Sequence, residues 1–279
     1  MKSLSFGIPF TRHRGHLIWE RDGALHFPGG IHFGTNLKAR LFHNGKDQGE
    51  VDYGSGLVTN VGVLALANDA NWSATNALNS LFKSLKYHAT GTSSTAAAAT
   101  DIKLNTPSGF GGQTPVAGTQ VLVSAANLQK YQSVATIAYT GTETVAEWGF
   151  FAYDSTLPAT TNLTDATGSP FTAGTATSGT VTGTPLTASS ATVMGQQMSI
   201  FDNTNATRVS WGLVTSNTTS VITVPAWYKT ADGTAGTAPV NADTYVIRPI
   251  MWDRKIVSIG VNNGDSIQFT YTLTISSGG

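Results

Sequence analysis

Ser266-Ile267-Gln268-Phe269-Thr270-Tyr271-Thr272-Leu273-Thr274-Ile275 decides the fold. Five large apolar residues alternate with five polar ones, the period of a strand with one face buried and one wet. Ahead of it, Asn262-Asn263-Gly264-Asp265 contains an Asn-Gly pair, which favours positive φ and predicts a tight hairpin turn between Val261 and Ser266. Lys255 to Val261, Val145 to Tyr153, Tyr131 to Tyr139 and Val121 to Val123 are further strand-length runs rich in Val, Ile, Thr and aromatics, separated by Gly, Asn, Asp and Pro. The chain therefore reads as mainly β: an antiparallel β-sandwich body with one or two short helices and an inserted small β module.

The helices are expected where the texture changes. Thr59 or Asn60 can cap an apolar run reaching Asn68, and Ser73 can cap a helix to Lys83 whose Leu78, Leu81, Phe82 and Leu85 recur on one face. Leu85 to Ala89 then alternates like a strand.

Three regions follow from composition. Residues 1–56 hold seven of the sixteen basic residues and five of the six histidines, and read as an N-terminal arm of short strands and extended segments. Residues 57–156 with 250–279 form the sandwich body. Between them, 157–249 is Thr-rich and nearly uncharged, yet Met198–Phe201, Arg208–Val214, Val221–Val224 and Tyr245–Ile247 read as strands. This stretch is expected to be a small β domain inserted at a hairpin tip, where insertions are best tolerated.

Composition also excludes. Only 11% of the 279 residues are charged, and sixteen basic side chains balance sixteen acidic ones. Nucleic acid is therefore not an expected partner, since its binding needs a basic field. Near-absence of surface charge removes colloidal repulsion and suits permanent docking or self-association. No cysteine is present, so disulfides, thiolate catalysis and cysteine-based metal sites are excluded. The first residues lack a continuous apolar stretch and run into Arg12-His13-Arg14, unlike a secretory signal, and no run of 18 apolar residues offers a membrane span. Synthesis in the cytoplasm is the expectation.

Residues suited to reactive chemistry are few. Gly109-Phe110-Gly111-Gly112 lacks the helix and cation that phosphate binding needs and reads as a loop. Glu143 and Glu147 are the one local carboxylate pair that an acid–base mechanism would use; two solvated hairpin charges is the preferred reading. His13 and His16, with His26 and His32, lie beside Arg12 and Arg14, whose charge opposes a cation. Trp148, Trp211, Trp227 and Trp252 can be read as sugar-stacking platforms or, preferably, as core anchors. Catalytic, cofactor and metal sites are all expected to be absent. Arg12, Arg14, His16, Trp19, Arg21 and Arg40 are the candidate interface residues, because arginine donates to several acceptors at once and the aromatics need a surface to cover them.

A wider pattern then emerges. Leu57–Gly62, Leu85–Ala96 with Thr100–Leu104, Val134–Ile137, Val145-Ala146-Glu147-Trp148-Gly149-Phe150-Phe151, Trp252-Asp253-Arg254 and Gly264–Thr274 together resemble small virion structural proteins of tailed bacteriophages, a layout shared with tail-fibre-type domains. The resemblance covers about 57–153 and 251–279. In shorter proteins of this kind the Trp-Gly-Phe-Phe strand leads almost directly to Trp-Asp-Arg, which marks 157–249 as inserted. Within that stretch, Gly195–Ile200 and Thr223–Trp227 resemble small β modules of phage particles. The resemblance implies a non-enzymatic exterior protein of the virion, foremost a capsid decoration or cement protein. Its implied partners are other copies of itself, as in a trimer, and a major capsid or tail protein. Alternatives are a tail or tail-fibre component, or a carbohydrate-binding protein that recognises a host glycan.

Overall fold

The computed structural model describes residues 10–13, 16–21, 24–26, 31–60, 62, 85–125, 128–152, 170–186, 188, 197–202, 207–230 and 233–277. The expected helix at Ser73–Lys83 lies outside them. At the other helix start, Thr59 Oγ1 accepts the Gly62 amide at 3.1 Å, as an N-cap does.

The body is an antiparallel sandwich of two five-stranded sheets. The first runs β5 (Lys46–Gly54), β4 (Ile31–His43), β21 (Ser266–Ser277), β10 (Leu128–Ala138), β9 (Thr119–Ala125). The second runs β6 (Leu57–Val58), β20 (Ile250–Val261), β11 (Glu143–Ala152), β7 (Leu85–Gly91), β8 (Val116–Ala117). Ile267, Phe269, Tyr271 and Leu273 of β21 are fully buried, as their alternation demands. They meet the second sheet's aromatics: ring centroids lie 4.3 Å apart for Phe150 and Tyr271 and 5.5 Å for Trp148 and Tyr271.

One turn differs from expectation. β20 and β21 belong to opposite sheets, so Asn262–Asp265 is an arch across the sandwich rather than a hairpin. Both long edges of β21 are occupied, by β4 and β10, which leaves β20 no edge to pair with. Gly264 takes the positive φ (87°) that the Asn-Gly signal reports, but Asn263 does not share it. An Asn-Gly pair that does close a two-residue hairpin is Asn44-Gly45, both at positive φ (47° and 76°), with His43 opposite Lys46. Through it β4 and β5, which fall within 1–56, form one side of the first sheet.

Residues Phe10–His13 (β1), His16–Arg21 (β2) and Ala24–His26 (β3) make a separate three-stranded meander. Within 157–249 two four-stranded sheets form. One is β12 (Phe171–Thr175), β13 (Ser178–Val181), β17 (Val221–Thr223), β16 (Ser216–Asn217); the other is β18 (Tyr228–Lys229), β15 (Thr207–Leu213), β14 (Gln197–Asp202), β19 (Thr244–Arg248). Ala152 pairs with Ile250, so the chain leaves and re-enters the sandwich at one end of the β11/β20 pair. Phe171, Val181, Val214, Ile222 and Trp227 form a core of their own, whereas Trp211 and Leu213 belong to the sandwich core.

Candidate functional site

Chemically versatile side chains are scarce in this chain, and the sandwich places several of them inside. Glu147 on β11 and Arg254 on β20 are both fully buried. Arg254 reaches Glu147 Oε2 through Nε (2.9 Å) and Nη2 (2.7 Å), Asp101 through Nη1 (2.8 Å), and the carbonyls of Thr95 and Ala96. Glu147 accepts in addition the amides of Asn105 (3.0 Å) and Thr106 (2.7 Å). The guanidinium fork thus fastens the 92–106 loop onto the second sheet, with its charge matched on both sides.

This arrangement replaces the solvated carboxylate pair expected at 143 and 147. Glu143 turns instead to the Ser108 hydroxyl and the Gly109 amide (3.2 Å), while Ser108 Oγ accepts the amides of Phe110 and Gly111 at 3.2 and 3.0 Å. The Gly109–Gly112 loop therefore spends its donors internally. The two glutamates hold neighbouring stretches of the one connection between β7 and β8, Glu147 at Asn105–Thr106 and Glu143 at Ser108–Gly109. Burial of Glu147 had a signal in the sequence, the apolar run Val145-Ala146 and Trp148-Gly149-Phe150-Phe151 around it.

A second polar chain threads the sandwich core. Trp148 Nε1 donates to His88 Nδ1 (3.3 Å), so Nε2 carries the proton and donates to Ser133 Oγ (2.9 Å), which in turn donates to the Lys86 carbonyl (3.2 Å). The hydroxyl accepts a hydrogen bond from the imidazole rather than donating one to it, the reverse of an activated serine. Burial pushes the His88 pKa down to about 3, so the ring is neutral. Nearby, burial raises the Asp253 carboxyl to about 7; neither oxygen has a well-formed hydrogen bond, and the Tyr271 hydroxyl and the Arg254 and Leu57 amides offset the burial only in part.

The four tryptophans read as anchors or platforms are core residues: Trp148, Trp211, Trp227 and Trp252 are all at most 3% exposed. Indole donors are satisfied inside, Trp227 by the Thr175 carbonyl and Trp252 by the Tyr271 hydroxyl, both at 2.9 Å.

Four of the six interface candidates lie on the β1–β3 meander. Arg12 lies on β1, and His16, Trp19 and Arg21 on β2, with Arg12 opposite Leu17 and Trp19 between Phe10 and His26 in register. Arg14 lies outside the described residues. Arg40, on β4, pairs with Asp47 at 3.0 Å and Glu50 at 3.4 Å across the adjacent strand.

The wet face of the first sheet holds a feature that no single segment announces. Asn36 of β4, Thr272 of β21 and Gln132 of β10 stand side by side in register, flanked by Thr270 and Thr274, above an open groove of about 490 Å³. Only strand order brings these side chains together. No group of three or more His, Asp or Glu able to hold a metal occurs among the described residues. No protein-family model, curated protein or solved structure matches the chain.

Proposed function

We propose that this chain is a non-enzymatic structural protein on the exterior of a tailed-phage particle, a decoration or cement protein that joins a shell protein and further copies of itself. Its resemblance over 57–153 and 251–279 supports the class, and its neutral, hydroxyl-rich composition supports permanent docking. The observation that carries the reading is the contrast between the two edges of the first sheet. β5 carries Lys46, Asp47, Glu50 and Asp52, charges that discourage a further strand. β9, Thr119-Gln120-Val121-Leu122-Val123-Ser124-Ala125, carries none, and its Val121 is 43% exposed. An uncharged edge of seven residues is a template for continuation by another chain.

Attachment is read by co-sedimentation with particles stripped of this protein. Val121→Lys should lower the bound fraction at least about tenfold without changing the melting midpoint. Deleting residues 1–30 removes the β1–β3 meander and stops before β4, and should likewise leave a folded chain that no longer joins particles. Undiminished binding by both variants would sink the proposal. Labelling this chain in imaged particles separates head from tail: label confined to the tail would replace decoration by a tail component.

A further inference from the structure

We infer that the groove on the outer face of the first sheet is a binding site for a neutral oligosaccharide. The inference rests on side-chain chemistry and holds whichever part of a particle the chain occupies.

The floor is built by alternation. Leu37 and Ala39 point into the core, so Asn36 and Lys38 point out; Thr270, Thr272 and Thr274 do the same on the neighbouring strand. These groups are held in place. Asn36 donates to Asp52 Oδ1 (2.9 Å), Gln132 to Thr272 Oγ1 (3.1 Å) and Lys38 to Glu50 Oε1 (3.0 Å). Each amide donates through nitrogen and retains its carbonyl oxygen as an acceptor, while the hydroxyls both give and accept. The surface is a preset grid of donors and acceptors at strand spacing, which costs little ordering when a ligand binds.

Lining charge selects the ligand. Lys38 and Lys130 cancel Glu50 and Asp52, so neither an anionic nor a cationic ligand is favoured. A purely apolar ligand is disfavoured because every lining residue, Asn, Lys, Glu, Asp, Gln or Thr, carries a polar group. The groove's volume, about 490 Å³, lies within the roughly 300–1,000 Å³ of small-molecule sites. What fits is a neutral molecule of that size bearing many hydroxyls. A protein partner is disfavoured, since interface centres are apolar and aromatic. With no aromatic ring to stack on, one site binds weakly, and strength would come from many copies arrayed together.

Gly34 supplies a clean test. It faces Thr274 across the β4/β21 pair at the groove's end, and a Cβ added there would meet only the Thr274 Cβ at 4.0 Å. The backbone therefore accepts a side chain at this position, and Gly34→Trp is the substitution expected to obstruct the groove from its end.

The full chain is titrated with maltotriose, cellotriose, mannotriose and chitotriose, with sialyllactose as the anionic comparison, by heteronuclear NMR. At least one neutral trisaccharide should bind with a dissociation constant on the order of a millimolar, shifting the amides of Asn36, Gln132 and Thr272, and more tightly than sialyllactose. Gly34→Trp, and separately Asn36→Ala with Gln132→Ala, should weaken that binding at least about tenfold at an unchanged melting midpoint. Absence of binding by all four neutral sugars overturns the proposal, as does equal binding by Gly34→Trp. If Gly34→Trp instead converts an oligomeric chain to a monomer in sedimentation, the groove is an interface between copies and the proposal is overturned in that way.

Discussion

The sandwich and the strands inserted into it bury polar groups to different ends. In the sandwich these groups tie together parts of the chain that are far apart: Arg254 reaches Glu147 across 107 residues and Asp101 across 153. In the inserted stretch the bonds span shorter separations: Trp227 donates to the Thr175 carbonyl across 52 residues and the Thr237 amide to buried Ser210 across 27. Buried Asp243 accepts the Val240 amide three residues away, and Asn217 donates to the adjacent Thr218 carbonyl. Buried polarity thus joins distant parts of the chain in the first region and nearer ones in the second. Loss of a bridge in the sandwich should be felt globally, loss of one in the insert only where it sits.

The largest effect should come from Arg254→Ala. It leaves the Glu147 carboxylate buried without its cation, at a cost of about 3–5 kcal/mol, measured by urea denaturation. A loss below about 1 kcal/mol would erase the distinction drawn between the two regions.

Next is Leu213→Ala, expected to cost roughly 2–5 kcal/mol as a buried large-to-small change. Leu213 lies on an inserted strand but packs into the sandwich core. If calorimetry shows a single transition that moves as a whole, sandwich and insert melt together; a second transition that alone moves would make the insert separate. Replacing 157–249 by a short turn should leave a folded sandwich, weakened by the loss of these contacts, and aggregation of that chain would count against treating the insert as a domain.

A pH profile bears on the same contrast, because two core groups shifted across the acid-to-neutral range, Asp253 and His88, lie in the sandwich. Asp253 titrates at about 7 when folded but near 3.8 when free, so the native state holds an extra proton between these values and this contribution falls as pH rises. His88 titrates at about 3 when folded and near 6.5 when free, so its contribution falls as pH drops. Between about 4 and 6.5 the two slopes oppose and nearly cancel. Asp253→Asn should expose the histidine slope: stability then declines by about 1.4 kcal/mol per pH unit on acidification across that window. A profile identical to that of the parent chain would show that Asp253 does not hold its proton.

The smallest effect is expected in the insert. Asp243→Ala removes the bond to the Val240 amide and should cost about 1 kcal/mol, with faster hydrogen exchange confined to the insert. Faster exchange spread through β11 and β20 would show that the insert's polar groups also act at long range.

Much of this architecture was legible locally. The alternation from Ser266 to Ile275 announced β21 and its buried face, and the apolar contexts of Trp148, Trp211, Trp227 and Trp252 marked them as core. The four strand segments read within 157–249 appear as β14, β15, β17 and β19. Missed there was the β12/β13 hairpin, Phe171–Thr175 with Ser178–Val181, whose Ala, Gly, Ser and Thr residues carry almost no apolar period. Asn44-Gly45 and Asn263-Gly264 look alike in sequence, yet one closes a hairpin and the other an arch.

What the residues determine alone is what depends on neighbours along the chain: which stretches are extended, which face is apolar, where φ turns positive, and that surface charge is sparse. Tertiary structure decided which strands lie side by side, and with that the burial of Glu147 against Arg254 and the row Asn36, Thr272, Gln132 on the wet face. The reason is physical. A strand's period records only that it has two faces, while its edges offer the same backbone donors and acceptors to any partner, so pairing is settled by how all the buried faces pack at once.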